Sequence, residues 1–349
     1  GGGGGGSSGG GGGSNGGGGG GSGGGSSSSS SGGSGSIGGG SGGNDATTMR
    51  AVRANARLRC GDFTSVRFGP DGAVTSLVFR GTDLATPSAP LFRVHYQNMD
   101  RAYFKTFVDE YVAGISAIWP TLTAAGGFFK PGLDLPAINS NMTLAGVTAD
   151  NVSRIVLDLK VENAAAHTTR GAPATMQAKI ECAGGGVLNY TLRWFNKTAT
   201  HAPETIWLSH TPAVLLPSSS SCVSCVSSVS VTMDKLGSRI KPAETDLGCP
   251  DGAVKGLVCG LHLHGTGDDG VTIRELRNGS IGHSGIEMRL SAVDSALVSI
   301  GSPDPVPTPL RVPDVAGGVH FSMVGNIWNT NYPFWYPFVK GDSSAQFRF

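Results

Sequence analysis

Two histidines two positions apart, in Gly260-Leu-His-Leu-His-Gly265, head the residues whose types and spacing could do chemistry. On a strand, His262 and His264 face one way and Leu261 and Leu263 the other. Two imidazoles on one face could hold a metal or hydrogen-bond a sugar. A metal needs a third ligand, and none is identifiable by spacing: no His-x-Asp or His-Glu-x-x-His occurs. Cys222-x-x-Cys225 could be half of a zinc site with Cys249 and Cys259 as the other half, but the second pair is too widely spaced, and a loop disulfide or surface thiols is the plainer reading. Gly265-x-Gly267-x-x-Gly270 matches a dinucleotide fingerprint on paper. Its C-terminal neighbour is the β-branched run Val271-Thr-Ile-Arg-Glu-Leu276 rather than a helix, and Asp268 and Asp269 would repel phosphate, so a hairpin turn is expected. Asp109 and Glu110 form an adjacent acid pair, expected on a solvated helix face.

The densest chemistry is C-terminal. In Asn326-Ile-Trp-Asn-Thr-Asn-Tyr-Pro-Phe-Trp-Tyr-Pro-Phe338, aromatic rings interleave with amides. Aromatic faces stack on sugar rings and amides bond hydroxyls, so Asn326, Trp328, Asn329, Thr330, Asn331 and Trp335 suit carbohydrate. A plug of core packing between domains is the competing reading.

The elements that must position these residues are mostly strands. Ser65–Phe68 and Ala73–Phe79 flank Gly69-Pro-Asp-Gly72, a hairpin signal. Further strands are expected at 154–161, 176–180, 187–195, 205–208, 229–233, 253–263, 271–276, 287–290, 296–300 and 318–327. One helix stands out in 100–119, where Phe104, Phe107, Val108, Tyr111, Ile115, Ile118 and Trp119 make a 3.6-residue stripe between Asp100 as N-cap and Pro120 as stop. Residues 44–59 read as a lead-in and 217–230 as a low-complexity loop. The expected fold is all-β, a large antiparallel β-sandwich of the residues 46–349 with one notable helix.

Residues 1–43 hold 28 Gly and 13 Ser and no charge, too little apolar surface to offset the entropy of ordering, so residues 1–45 are expected to form a disordered N-terminal tail. Net charge is +1, from 26 basic and 25 acidic residues, which gives no electrostatic footprint for nucleic acid and no basic block for a membrane surface. No apolar run approaches the length of a membrane-spanning helix. Five Asn-x-Ser/Thr triplets, at Asn141, Asn151, Asn189, Asn196 and Asn278, are glycan acceptors if the chain is secreted. Six cysteines allow 15 pairings, and the sequence does not choose among them. The absence of Met at position 1 suggests a fragment or a missing start.

Gly318-Val-His-Phe-Ser-Met-Val-Gly-Asn-Ile-Trp-Asn-Thr-Asn-Tyr332 resembles the closing motif of glycoside hydrolase family 38 (α-mannosidase-like) proteins. It is closer still to an uncharacterised related family with an N-terminal glycoside hydrolase/deacetylase-type barrel. Val66–Leu77, Tyr103–Tyr111, Phe129–Leu133, Pro203–Ser209, Asp234–Gly237, Leu261–His264, Asp294–Ile300 and Gln346–Phe349 agree in the same order. The resemblance covers about 64–349 and implies a galactose-mutarotase-like β-sandwich that packs on a catalytic barrel and lines one wall of its cleft. It departs from the family-38 form at Gly325 and Asn329. In that family the catalytic carboxylate and the zinc ligands sit on the barrel. The implied reading is therefore a carbohydrate-related C-terminal region with no catalytic residue, no metal and no cofactor of its own. Its partners would be carbohydrate and the missing barrel, with no nucleic acid and no membrane insertion. The alternatives are a non-enzymatic carbohydrate-binding or cell-surface module, or an inactive fragment.

Overall fold

A computed structural model describes residues 48–107, 133–150, 152–215, 227–235, 238–242, 264–265, 270–277, 286–295, 297–305, 313–327, 338–339 and 341–349. In chain order the strands are β1 (Arg50–Val52), β2 (Leu58–Cys60), β3 (Phe63–Phe68), β4 (Val74–Phe79), β5 (Thr82–Ala85), β6 (Arg93–Asn98), β7 (Ser140–Ala149), β8 (Arg154–Val161), β9 (Thr175–Ala183) and β10 (Val187–Phe195). They continue as β11 (Glu204–His210), β12 (Ser227–Lys235), β13 (Ser238–Ile240), β14 (His264–Gly265), β15 (Val271–Arg277), β16 (Glu287–Leu290), β17 (Leu297–Ile300), β18 (Val319–Asn326) and β19 (Ala345–Arg348). Among the described residues two seven-residue helices accompany them, α1 (Arg101–Phe107) and α2 (Ala164–Arg170).

The strands form an 11-stranded sheet in the order β14-β17-β18-β11-β6-β7-β8-β9-β10-β19, with β1 on β7, and two four-stranded sheets, β13-β12-β15-β16 and β2-β3-β4-β5. Neighbours throughout are antiparallel, whether joined by a short turn, as β3–β4 and β9–β10 are, or far apart in the chain, as β11 and β18 are. The β3–β4 hairpin shows the mechanism. Gly72 N donates to Gly69 O at 3.0 Å, and Asp71 Oδ1 accepts from Ala73 N at 3.1 Å, so the Gly-Pro-Asp-Gly turn is closed twice.

The large sheet bends into a half-barrel, and its β19 end comes back against β18. Phe349, just past β19, packs its ring 5.7 Å from Phe321 of β18 and 6.4 Å from Tyr190 of β10. Asp294 accepts from Arg348 Nε at 2.7 Å, and Ser295 Oγ donates to Ser322 O at 2.7 Å. All seven residues of β11 are buried, so the sheet is covered on both faces at its centre. The core gathers Trp194, Trp207, Tyr96, Tyr190 and Phe321, and both indoles find acceptors: Trp194 Nε1 donates to Asp342 O and Trp207 Nε1 to Gln97 Oε1.

Several expectations need correction. The stretch 44–59 is not merely a lead-in: it supplies β1, paired with β7, and β2, paired with β3. Ser227–Ser230 belong to β12 rather than to a loop. The expected turn at Gly265–Gly270 lies largely outside the described residues (266–269); on either side of it, β14 pairs with β17 in the large sheet and β15 with β12 and β16 in another. The β-branched run after Gly270 is a strand, β15, paired with β12 and with the next strand in the chain, β16. α2 was not expected; its Ala-His-Thr-Thr run lacks an apolar stripe, and it forms because Asn163 Oδ1 caps Ala165 N and Gly171 takes the left-handed C-terminal position. α1 begins as expected, with Asp100 Oδ1 accepting from Tyr103 N at 3.0 Å. The rest of the expected helix, with Asp109 and Glu110, lies outside the described residues, as do Cys222, Cys225, Cys249 and Cys259.

Candidate functional site

Lys197 and Glu204 form an ion pair at 2.6 Å whose side chains are only 2% and 4% exposed. Burying such a pair is costly, and further hydrogen bonds offset part of that cost on the lysine side. Lys197 Nζ also donates to Gly171 O at 3.0 Å. Around it, Arg170 Nε donates to Asn98 Oδ1 and Arg170 Nη2 to Pro136 O, Asn98 Nδ2 donates to Pro203 O, and Tyr96 Oη donates to Arg170 O. Burial pushes the Glu204 carboxyl up, against the pull of the Lys197 ammonium. Burial, then the Glu204 charge, raises the Tyr96 phenol.

Both flanks of the aromatic–asparagine segment lie beside this knot. Asn326, the last residue of β18, lies opposite Glu204 of β11, and its Nδ2 donates to Thr200 O at 2.9 Å. At the other flank, Lys197 Nζ lies 5.9 Å from the Phe338 ring centroid and Lys197 N donates to Ser343 O. β18 is itself delivered by Gly318, whose φ of +108° no other residue adopts easily and where a Cβ would come within 2.3 Å of His210 O.

Of the expected site residues, the structure places Asn326 beside this knot, opposite Glu204, and His264 on β14, in register with Val298 of β17, the neighbour of β18. His262, Trp328, Asn329, Thr330, Asn331 and Trp335 lie outside the described residues. Sequence reasoning missed Lys197, Glu204, Arg170, Asn98 and Tyr96. Lysine and glutamate default to the surface, and no local pattern brings positions 96–98, 170 and 197–204 together.

A second polar layer lies on the other face of β6, β11 and β18. Ser209 Oγ is 2.9 Å from His320 Nδ1 and 3.5 Å from His95 Nδ1, and His95 stacks beside Trp207. The Ser–His types suggest nucleophilic chemistry. However, desolvation lowers His320 to about 3 and desolvation with the Arg93 charge lowers His95 to about 4, so neither is tuned as a base near neutrality. Among the described residues no three His, Cys, Asp or Glu side chains converge as a metal-binding group. No helix among them is long and apolar enough to cross a membrane.

The disulfide Cys60–Cys182 ties β2 to β9. No family model and no curated protein matches the chain.

Proposed function

We propose that this chain is the C-terminal β-sandwich of a glycoside-hydrolase-like protein, a carbohydrate-associated region whose catalytic barrel is encoded elsewhere. One observation carries the reading: both flanks of the segment richest in Trp and Asn lie beside one buried ionic knot, Asn326 opposite Glu204 and Phe338 near Lys197. Binding residues are best presented from loops whose bases a rigid scaffold fixes. Trp328 and Trp335 supply flat faces for sugar rings, and Asn329, Thr330 and Asn331 supply donors and acceptors for hydroxyls. The edge strand bearing His264 lies two strands from β18, near enough in the sheet order for both to serve one wall. The disulfide favours an oxidising, secretory route, where such a protein would meet glycans.

Titration of the purified chain with a panel of mannose-containing and other oligosaccharides, followed by calorimetry and NMR line broadening, tests this. Trp328→Ala and Trp335→Ala are expected to weaken binding about tenfold, the effect of losing one stacking face, with little change in melting temperature. Collapse of the fold in both variants would assign the segment to core packing instead. Turnover of a glycoside by this chain alone would overturn the placement of catalysis elsewhere.

A further inference from the structure

The three sheets enclose a cavity of roughly 500 Å³, within the range of small-ligand sites. Its floor and mouth differ in chemistry. Phe63, Leu77, Leu84, Leu91, Phe92 and Phe321, all buried, make the floor. Arg80, Glu287, Arg289 and Ser291, all exposed, make the mouth. The polar side chain at depth is His210, 1% exposed, with Nδ1 accepting weakly from Phe92 N at 3.4 Å. Desolvation lowers it to about 3, so it meets any occupant uncharged.

Charge at the mouth is uneven. Glu287 is paired with Arg274. Arg80 makes no ion pair among the described residues, and its guanidinium lies 4.9 Å from the Phe79 ring centroid. It also occupies the first turn position between β4 and β5 with a φ of +49°, where asparagine or glycine would sit more easily. An arginine held there at a backbone cost places its charge at the opening. The facing lip is fixed equally firmly. Gly186, with φ +81°, lies so close that a Cβ would come within 2.6 Å of the Phe79 ring, and Cys182, four residues back, is bonded to Cys60.

We propose that this cavity binds an amphiphile with an apolar body and an anionic head, of the class of a medium-chain fatty acid, its chain on the apolar floor and its carboxylate at Arg80. Burying an alkyl chain against these side chains supplies the affinity, and the guanidinium at the mouth selects the head. This site is independent of the carbohydrate reading and uses none of its residues.

The full chain is titrated with dansylaminoundecanoic acid, and the fluorescent probe is then displaced. Dodecanoate is expected to displace it at low-micromolar concentration and dodecanol about tenfold less well, the discrimination of one charge-assisted contact. Arg80→Ala should erase that difference while leaving dodecanol unchanged. Leu188→Trp, which fills the cavity from the half-buried wall, should abolish uptake with an unchanged circular dichroism spectrum; Leu84→Trp fills it from the floor and serves if the first variant does not fold. The proposal is overturned by no uptake in the unmodified chain, by uptake that persists in a folded cavity-filled variant, or by dodecyltrimethylammonium or dodecyl glucoside competing as well as dodecanoate.

Discussion

At the scale of single residues, the Lys197–Glu204 pair sets the expectations for stability. Removing one partner strands the other charge away from water, so Glu204→Leu or Lys197→Met should each lower urea-derived stability by about 3–5 kcal/mol, while the double variant should recover most of the loss. A second expectation concerns acid. His210 and His320, held at about 3 by burial, stay neutral in the fold but ionise near 6.5 once unfolded. Their contribution is present in full above pH 6.5 and is lost as pH falls toward 3, at about 1.4 kcal/mol per pH unit for each. His95, lowered to about 4, acts in the same direction. Stability measured by urea unfolding between pH 7 and 4 should therefore fall steeply, and His210→Gln should visibly flatten that decline. An unchanged slope would mean that the imidazole takes up its proton within the fold.

At the scale of elements, the disulfide and one turn carry the testable weight. Replacing Cys60 and Cys182 with alanine should cost about 2–5 kcal/mol by urea unfolding, since the bridge spans 122 residues of chain. Gly318→Ala should cost more than about 1 kcal/mol, because it strains the entry to β18. Elements were legible where local rules suffice. β8, β10 and β16 are bounded as the alternation predicts, and the β3–β4 turn announces itself in Gly69-Pro-Asp-Gly72. β2 escaped because three residues are too few to show a period, and β7 because Gly146 and Ala145 interrupt it. The signals for α2 were present in Asn163 and Gly171 but lay outside any apolar stripe.

At the scale of the whole molecule, local periodicity cannot say that a sheet returns upon itself. The meeting of Phe321 with Phe349, and of Asp294 with Arg348, is written in residues far apart in the sequence whose local pattern is ordinary. The aromatic–asparagine segment was legible by composition, whereas the buried knot at its base was not, since its members are defined only by the fold. The surface carries its own expectation. Asn141, Asn189 and Asn196 are exposed acceptors, so expression through a secretory route should add glycans removable by an amidase, read as a mobility shift. Finally, Cys182 is the next cysteine after Cys60 in chain order. A ribosome adding about 5–20 residues per second takes roughly 6–24 s to make the intervening 122. In an oxidising lumen the earlier of the two thiols thus waits through that interval, and its native mate arrives before any of the later four cysteines is translated. Among these six, strict head-to-tail oxidation would yield the correct bridge without a reshuffling catalyst.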